Sequence, residues 1–198
     1  MDWLREKIEA ELVVERDGWA VERVGRVREQ LEAFGFDIVV VASSEHAAFT
    51  APGRTIYISR RLLERLDDDA TAFVIAHELA HHRLGHVPQL VPRFLPLRTL
   101  LALLHARIAT PEHERHADLL AVEQCLLSGY DLDLCLNGLE DSTRVEAARS
   151  HSWSYYRGER IEATLARDRE KAKKRRKVAI ASVAGGAAAL VLLLLRRR

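Results

Sequence analysis

The sequence predicts an α+β domain with an apolar helix near its C-terminal end, on three observations. Ala20, Val24, Val27, Leu31 and Phe34 recur at steps of three and four, the spacing of one apolar helical stripe. The runs 36–42 and 54–59 are rich in β-branched residues or alternate apolar with polar, as strands do. Two later segments, about 70–85 and 110–128, each open on a helix-start signal.

Taken in chain order, Trp3, Leu4, Ile8 and Leu12 suggest a short helix before the stripe, and Gly35 is placed to end the second. Phe36 to Ala42 reads as a buried strand. Residues 47–50 offer an edge strand, the pair Pro52-Gly53 a turn, and Arg54 to Ser59 a further strand. Arg60 to Leu66 reads as a short helix. Asp67, Asp68 and Asp69 then supply capping carboxylates to a helix from about Ala70 to Gly85. Pro88, Pro92 and Pro96 exclude a regular helix over 87–98. Leu97 to Ala109 is apolar enough for a helix but too short for a membrane span, and it carries Arg98, His105 and Arg107. It reads as a core helix, with a membrane-touching hairpin as the alternative. Thr110 caps and Pro111 opens a helix that Gly129 ends after Ser128. Further helices are expected at 131–140 and 157–170.

A chain of 198 residues is long enough for one domain with its own core plus an appendage. The net charge of +1 names no partner. Cys125 and Cys135 have no metal or redox spacing and read as reduced, partly buried thiols. The first residues lack the basic and apolar regions of a signal peptide, so the body of the chain is expected in the cytoplasm.

Residues 77–81 read His-Glu-Leu-Ala-His. On a helix, positions four apart share a face, so His77 and His81 can reach one ion while Glu78 is aimed elsewhere and can serve as a base. A catalytic zinc takes three protein ligands and keeps one position open. There it lowers the pKa of a bound water to about 7 and polarises a carbonyl. The third ligand is expected in Glu112 to Asp118, where Glu114 and Asp118 lie four apart on one face. Glu114 can complete the triad, and Asp118 can hold the N–H of a ligating histidine. Glu112, His113 and His116 compete for the ligand role. Of the remaining histidines, His82 reads as surface or as supporting the site. His86, at the end of a longer H-E-x-x-H-x-x-x-x-H pattern, reads as support, and His46 and His105 as structural.

At these residues the chain resembles the HtpX-like and CAAX-prenyl-protease-like gluzincin zinc metallopeptidases. The similar stretch runs from about Ala47 to Leu165. It takes in 48–53, 56–58, Leu62-Leu63, 68–70, the motif from Ala76 to His86, Glu114 to Asp118 and 129–131. The resemblance implies a small mixed sheet whose edge strand lines the cleft, packed on the H-E-x-x-H helix and a glutamate helix. It implies cleavage of an extended peptide added to that edge. It assigns one Zn2+ ion to His77, His81 and Glu114, and the base to Glu78. Two departures stand out. Ala47 occupies a place where the family often has a substrate-holding asparagine. The family's His-Pro and Arg-Ile pairs survive only as Ser150-His151-Ser152 and Arg160-Ile161, so the oxyanion role falls on His151, with Tyr155 and Tyr156 as alternatives.

The division expected is a peptidase domain over 1–166, with a helical part at 1–35, then a basic linker at 167–177 and a tail anchor at 178–195. Val178 to Leu195 carries no charge and as a helix would be about 27 Å long, enough for a thin hydrocarbon core. Basic residues are denser on its N-terminal flank, which points a single-pass chain's catalytic domain to the cytoplasm. Gly185 and Ala189 form a small-x-x-x-small pair that could make a homo-oligomer. The expected partners are a peptide or protein substrate and membrane lipid, without nucleic acid. The leading reading is a membrane-tethered zinc endopeptidase. A repressor-cutting protease of the ImmA/IrrE kind and a zinc-stabilised membrane adaptor without activity are the rivals.

Overall fold

The computed structural model describes residues 2–43, 47–88, 91–92, 94–108 and 110–135. The chain falls into two units, Met1–Ser154 and Tyr155–Arg198, and every described residue belongs to the first. His46, His151, Tyr155, Tyr156, the expected helix at 157–170, the basic linker and the apolar run at 178–195 lie outside the described residues. No helix among the described residues is long and apolar enough to cross a membrane.

The elements run α1 (Asp2–Glu11), β1 (Val13–Glu15), α2 (Trp19–Gln30), β2 (Asp37–Ala42), β3 (Ala48–Ala51), β4 (Thr55–Ser59), α3 (Arg60–Leu63), α4 (Asp68–Arg83), α5 (Leu97–Ile108) and α6 (Pro111–Leu127). The four strands form one sheet in the order β1-β2-β4-β3. β2 and β4 pair in parallel while β1 and β3 run antiparallel to their neighbours, so the sheet is small and mixed.

Alternation along the strands sorts their side chains to two faces. Val39, Val41, Tyr57 and Ala51 share a core with Leu4 and Ile8 of α1 and with Leu97, Leu100 and Leu104 of α5. Val40, Ile56 and Ile58 are buried on the opposite face, where α2 and α4 pack. β4 is therefore covered on both sides, and all five of its residues are buried. The β3–β4 turn uses Gly53 at φ 91, a left-handed conformation that a side chain would strain.

The structure departs from the expectations in two places. β1 was not foreseen: Val13 and Val14 are too few to show a period, and their strand form comes from pairing with Ala42 and Val41. α3 stops at Leu63 rather than Leu66, because the chain turns there to free Asp67 as the cap of α4. Arg23 of α2 fastens that turn through the Leu63 and Leu66 carbonyls at 2.8 and 2.6 Å. Beyond the α6 terminus, helix is seen at 132–135, and the rest of the expected 131–140 lies outside the described residues. α5 buries Leu97, Leu100, Leu104 and Ile108, the stripe of a core helix.

Candidate metal centre

Both helices that frame the site are set by local chemistry. The Asp67 carboxylate accepts the Ala70 N–H at 2.8 Å and starts α4. Farther along the helix lie His77, Glu78 and His81, all buried. Gly85, at φ 72, closes α4 by donating to the His82 carbonyl at 3.1 Å, and the His86 N–H reaches the His81 carbonyl at 2.9 Å. That C-terminal motif folds His86 back over the last turn. In α6 the Thr110 hydroxyl accepts the His113 N–H at 3.2 Å, Pro111 takes the first turn, and Glu114 follows at its inner side. α4 and α6 pack directly on each other, which brings Glu114 to the histidines.

Three donor atoms converge. His77 Nε2 and His81 Nε2 are 3.0 Å apart. Glu114 stands 3.3 Å from His77 Nε2 through one oxygen and 3.4 Å from His81 Nε2 through the other. A tetrahedral ion with bonds of about 2.0–2.1 Å would hold its donors about 3.3 Å from one another. The group could hold a metal ion on this geometry. The tautomers agree. His77 Nδ1 meets Asp118 at 3.0 Å, and a carboxylate only accepts, so the proton of His77 is on Nδ1 and its Nε2 presents a lone pair. His81 Nδ1 meets His86 Nδ1 at 3.0 Å, so His81 can donate there and turn its own Nε2 lone pair inward. Lone pairs and a carboxylate crowded into a buried corner suit a small cation.

A further layer supports these groups. His86 stacks on His113 with centroids 3.9 Å apart and planes 11° from parallel, and His113 Nδ1 donates to the Ile108 carbonyl at 3.2 Å. Burial lowers the His86 pKa to about 4, which keeps it neutral and able to accept from His81. His82 leaves the metal group altogether. It is half-buried, hydrogen-bonded to Thr50 of β3, and set edge-on against Phe36 at 5.2 Å. Of the competing ligands, Glu112 is exposed and His116 pairs with the Arg115 guanidinium at 2.9 Å. Neither belongs to the converging group, nor does His113. His105 lies on the exposed side of α5. The roles of His86 and His113 are carried by a turn and a stack, and the only hint in the sequence is the Gly85-His86 pair after the motif.

The sequence pattern of Peptidase family M48 matches residues 18–128. The chain belongs to this family. No curated protein matches it. The matched stretch takes in α2 to α6, and with them every residue of the converging group. M48 membership makes the chain a metallopeptidase at family level and accords with the HtpX-like and CAAX-protease-like resemblance. It also gives the His77, His81 and Glu114 cluster of this M48 chain a chemical meaning, since peptidases of this kind are typically zinc-dependent.

Proposed function

We propose that the chain is a membrane-tethered zinc endopeptidase, with His77, His81 and Glu114 as ligands, Glu78 as base and His151 as an oxyanion group. The observation that carries this reading is the convergence of two Nε2 lone pairs and a carboxylate, with each Nδ1 already engaged. When bound, zinc supplies Lewis-acid polarisation of the scissile carbonyl and acidifies water. Glu78, buried beside the first ligand and outside the ligand group, takes the proton from the attacking water and passes it to the leaving amine. β3, the edge strand beside α4, receives the extended substrate by backbone pairing. His151 rests on its place in the sequence pattern, as does anchoring by the run at 178–195 with the catalytic domain on the cytoplasmic face. The M48 match favours this reading over a repressor-cutting protease of another family. The test is Glu78→Gln: it should retain one zinc per chain and lose hydrolysis by at least about a hundredfold. Cleavage at the wild-type rate by the zinc-loaded variant would remove Glu78 from the mechanism.

A further inference from the structure

His82 follows a proposed ligand in sequence, yet its ring turns to the sheet. We propose that His82 is a positioning residue: it clamps the substrate-receiving edge strand to the metal helix through Thr50. This rests on the reading that β3 takes the substrate.

The geometry is specific. Among the described residues, β3 pairs with β4 on one side only. The Ser59 N–H donates to the Ala47 carbonyl at 2.8 Å, which makes 47 and 59 a hydrogen-bonded pair of the antiparallel ladder. By alternation Phe49 and Ala51 also turn their backbone groups to β4, so Ala48 and Thr50 turn theirs to the open edge. Thr50 thus offers its N–H and C=O where a substrate strand would pair. Its side chain points the other way from Phe49, which stacks on Tyr57 at 5.0 Å in the α1–α5 core. It is buried against α4 and meets His82 Nε2. His82 also hydrogen-bonds the backbone of Thr55 on β4, and Phe36 packs against its ring. One imidazole therefore holds both arms of the β3–β4 hairpin, one residue after His81. The chain of bonds from metal ligand to edge strand is short, and it sets the height at which a peptide carbonyl on that edge meets the ion.

The experiment measures affinity rather than turnover. The full chain carrying Glu78→Gln is loaded with zinc and titrated with a labelled peptide taken from the wild-type enzyme's digest of an unfolded protein. Adding Thr50→Val, which keeps shape and removes the hydroxyl, should weaken binding about tenfold with zinc content unchanged. Thr50→Ser should bind within about twofold of the parent. In the active chain the Thr50→Val loss should fall on KM. If Thr50→Val fails to fold, His82→Asn supplies the measurement, with the same loss expected. Where both variants fold, their combination should lose no more than either alone. Parent-like binding by the folded Thr50→Val or His82→Asn, or additive losses, would overturn the clamp. A second peptide, N-methylated on alternate backbone nitrogens, separates the two claims. If methylation leaves binding unchanged, strand pairing itself fails. If methylation abolishes binding while Thr50→Val does not weaken it, only the clamp fails.

Discussion

Asp118 and His86 do the same work on opposite sides of the proposed ion: each occupies the Nδ1 of one histidine and leaves its Nε2 to face inward. A carboxylate does this more firmly, because it can only accept and it makes the imidazole more basic. Asp118→Asn should therefore lower zinc affinity about 10–100-fold, read by competition with a chromophoric chelator, while the fold by circular dichroism is kept. The His77–His81 pair and Asp118 were legible in the sequence, because helical spacing alone puts residues four apart on one face. The orientation of His82 was not, since its partners Thr50 and Phe36 belong to other elements. Tyr57 is a residue-scale case of a different kind. Its hydroxyl is buried with no hydrogen-bond partner among the described residues. Burial, with a lesser effect of Glu9, pushes its pKa up to about 12 from the ordinary 10. The folded chain then keeps a proton that the unfolded chain loses between about pH 10 and pH 12. Stability from this group is full below pH 10 and falls as pH rises through 12. Tyr57→Phe should flatten that alkaline loss in denaturant titrations and cost less than about 1 kcal/mol at pH 7, because no buried partner is stranded.

At the scale of elements, the site depends on where two helices begin and end. Thr110 starts α6 one turn before Glu114, and the Glu114 N–H bonds the Thr110 carbonyl at 2.9 Å. Thr110→Ala should cost about 1 kcal/mol of stability, with a range of 0.5–2 kcal/mol. It should also weaken zinc binding, because a frayed first turn releases the Glu114 carboxylate; thermal melts with and without zinc measure both. The caps and the apolar stripe of α2 were readable because they depend on residues within one turn of each other. β1 and the end of α3 were not. Their form is fixed by pairing to β2 and by Arg23 reaching across from α2, contacts that no local window contains.

For the molecule as a whole, the sheet is a floor with helices on both faces, and the converging group sits where α4 and α6 meet. The overall class was readable because strand and helix periods differ; the strand order was not, because order is decided by which faces the helices cover. The proposed tether makes a separate claim, on sequence beyond the described residues. Val178 to Leu195 is uncharged, with six basic residues in Lys171 to Lys177 and three in Arg196 to Arg198. A run of this length is at the lower limit for a spanning helix, so its insertion has little free energy to spare. One arginine near its middle costs about 2.5–3.5 kcal/mol on the scale of cellular insertion. Ala187→Arg should therefore move the full chain from the alkali-resistant membrane pellet to the supernatant. The variant should still hydrolyse a soluble peptide at about the wild-type rate, because position 187 is remote in sequence from every proposed catalytic group. A wild-type chain extracted by alkali, or an Ala187→Arg chain that stays in the pellet, would show that the apolar run does not span the bilayer. Loss of zinc and of soluble-peptide cleavage in the extracted variant would instead tie the run to the integrity of the catalytic domain, and the two results are separated by measuring metal content in the supernatant.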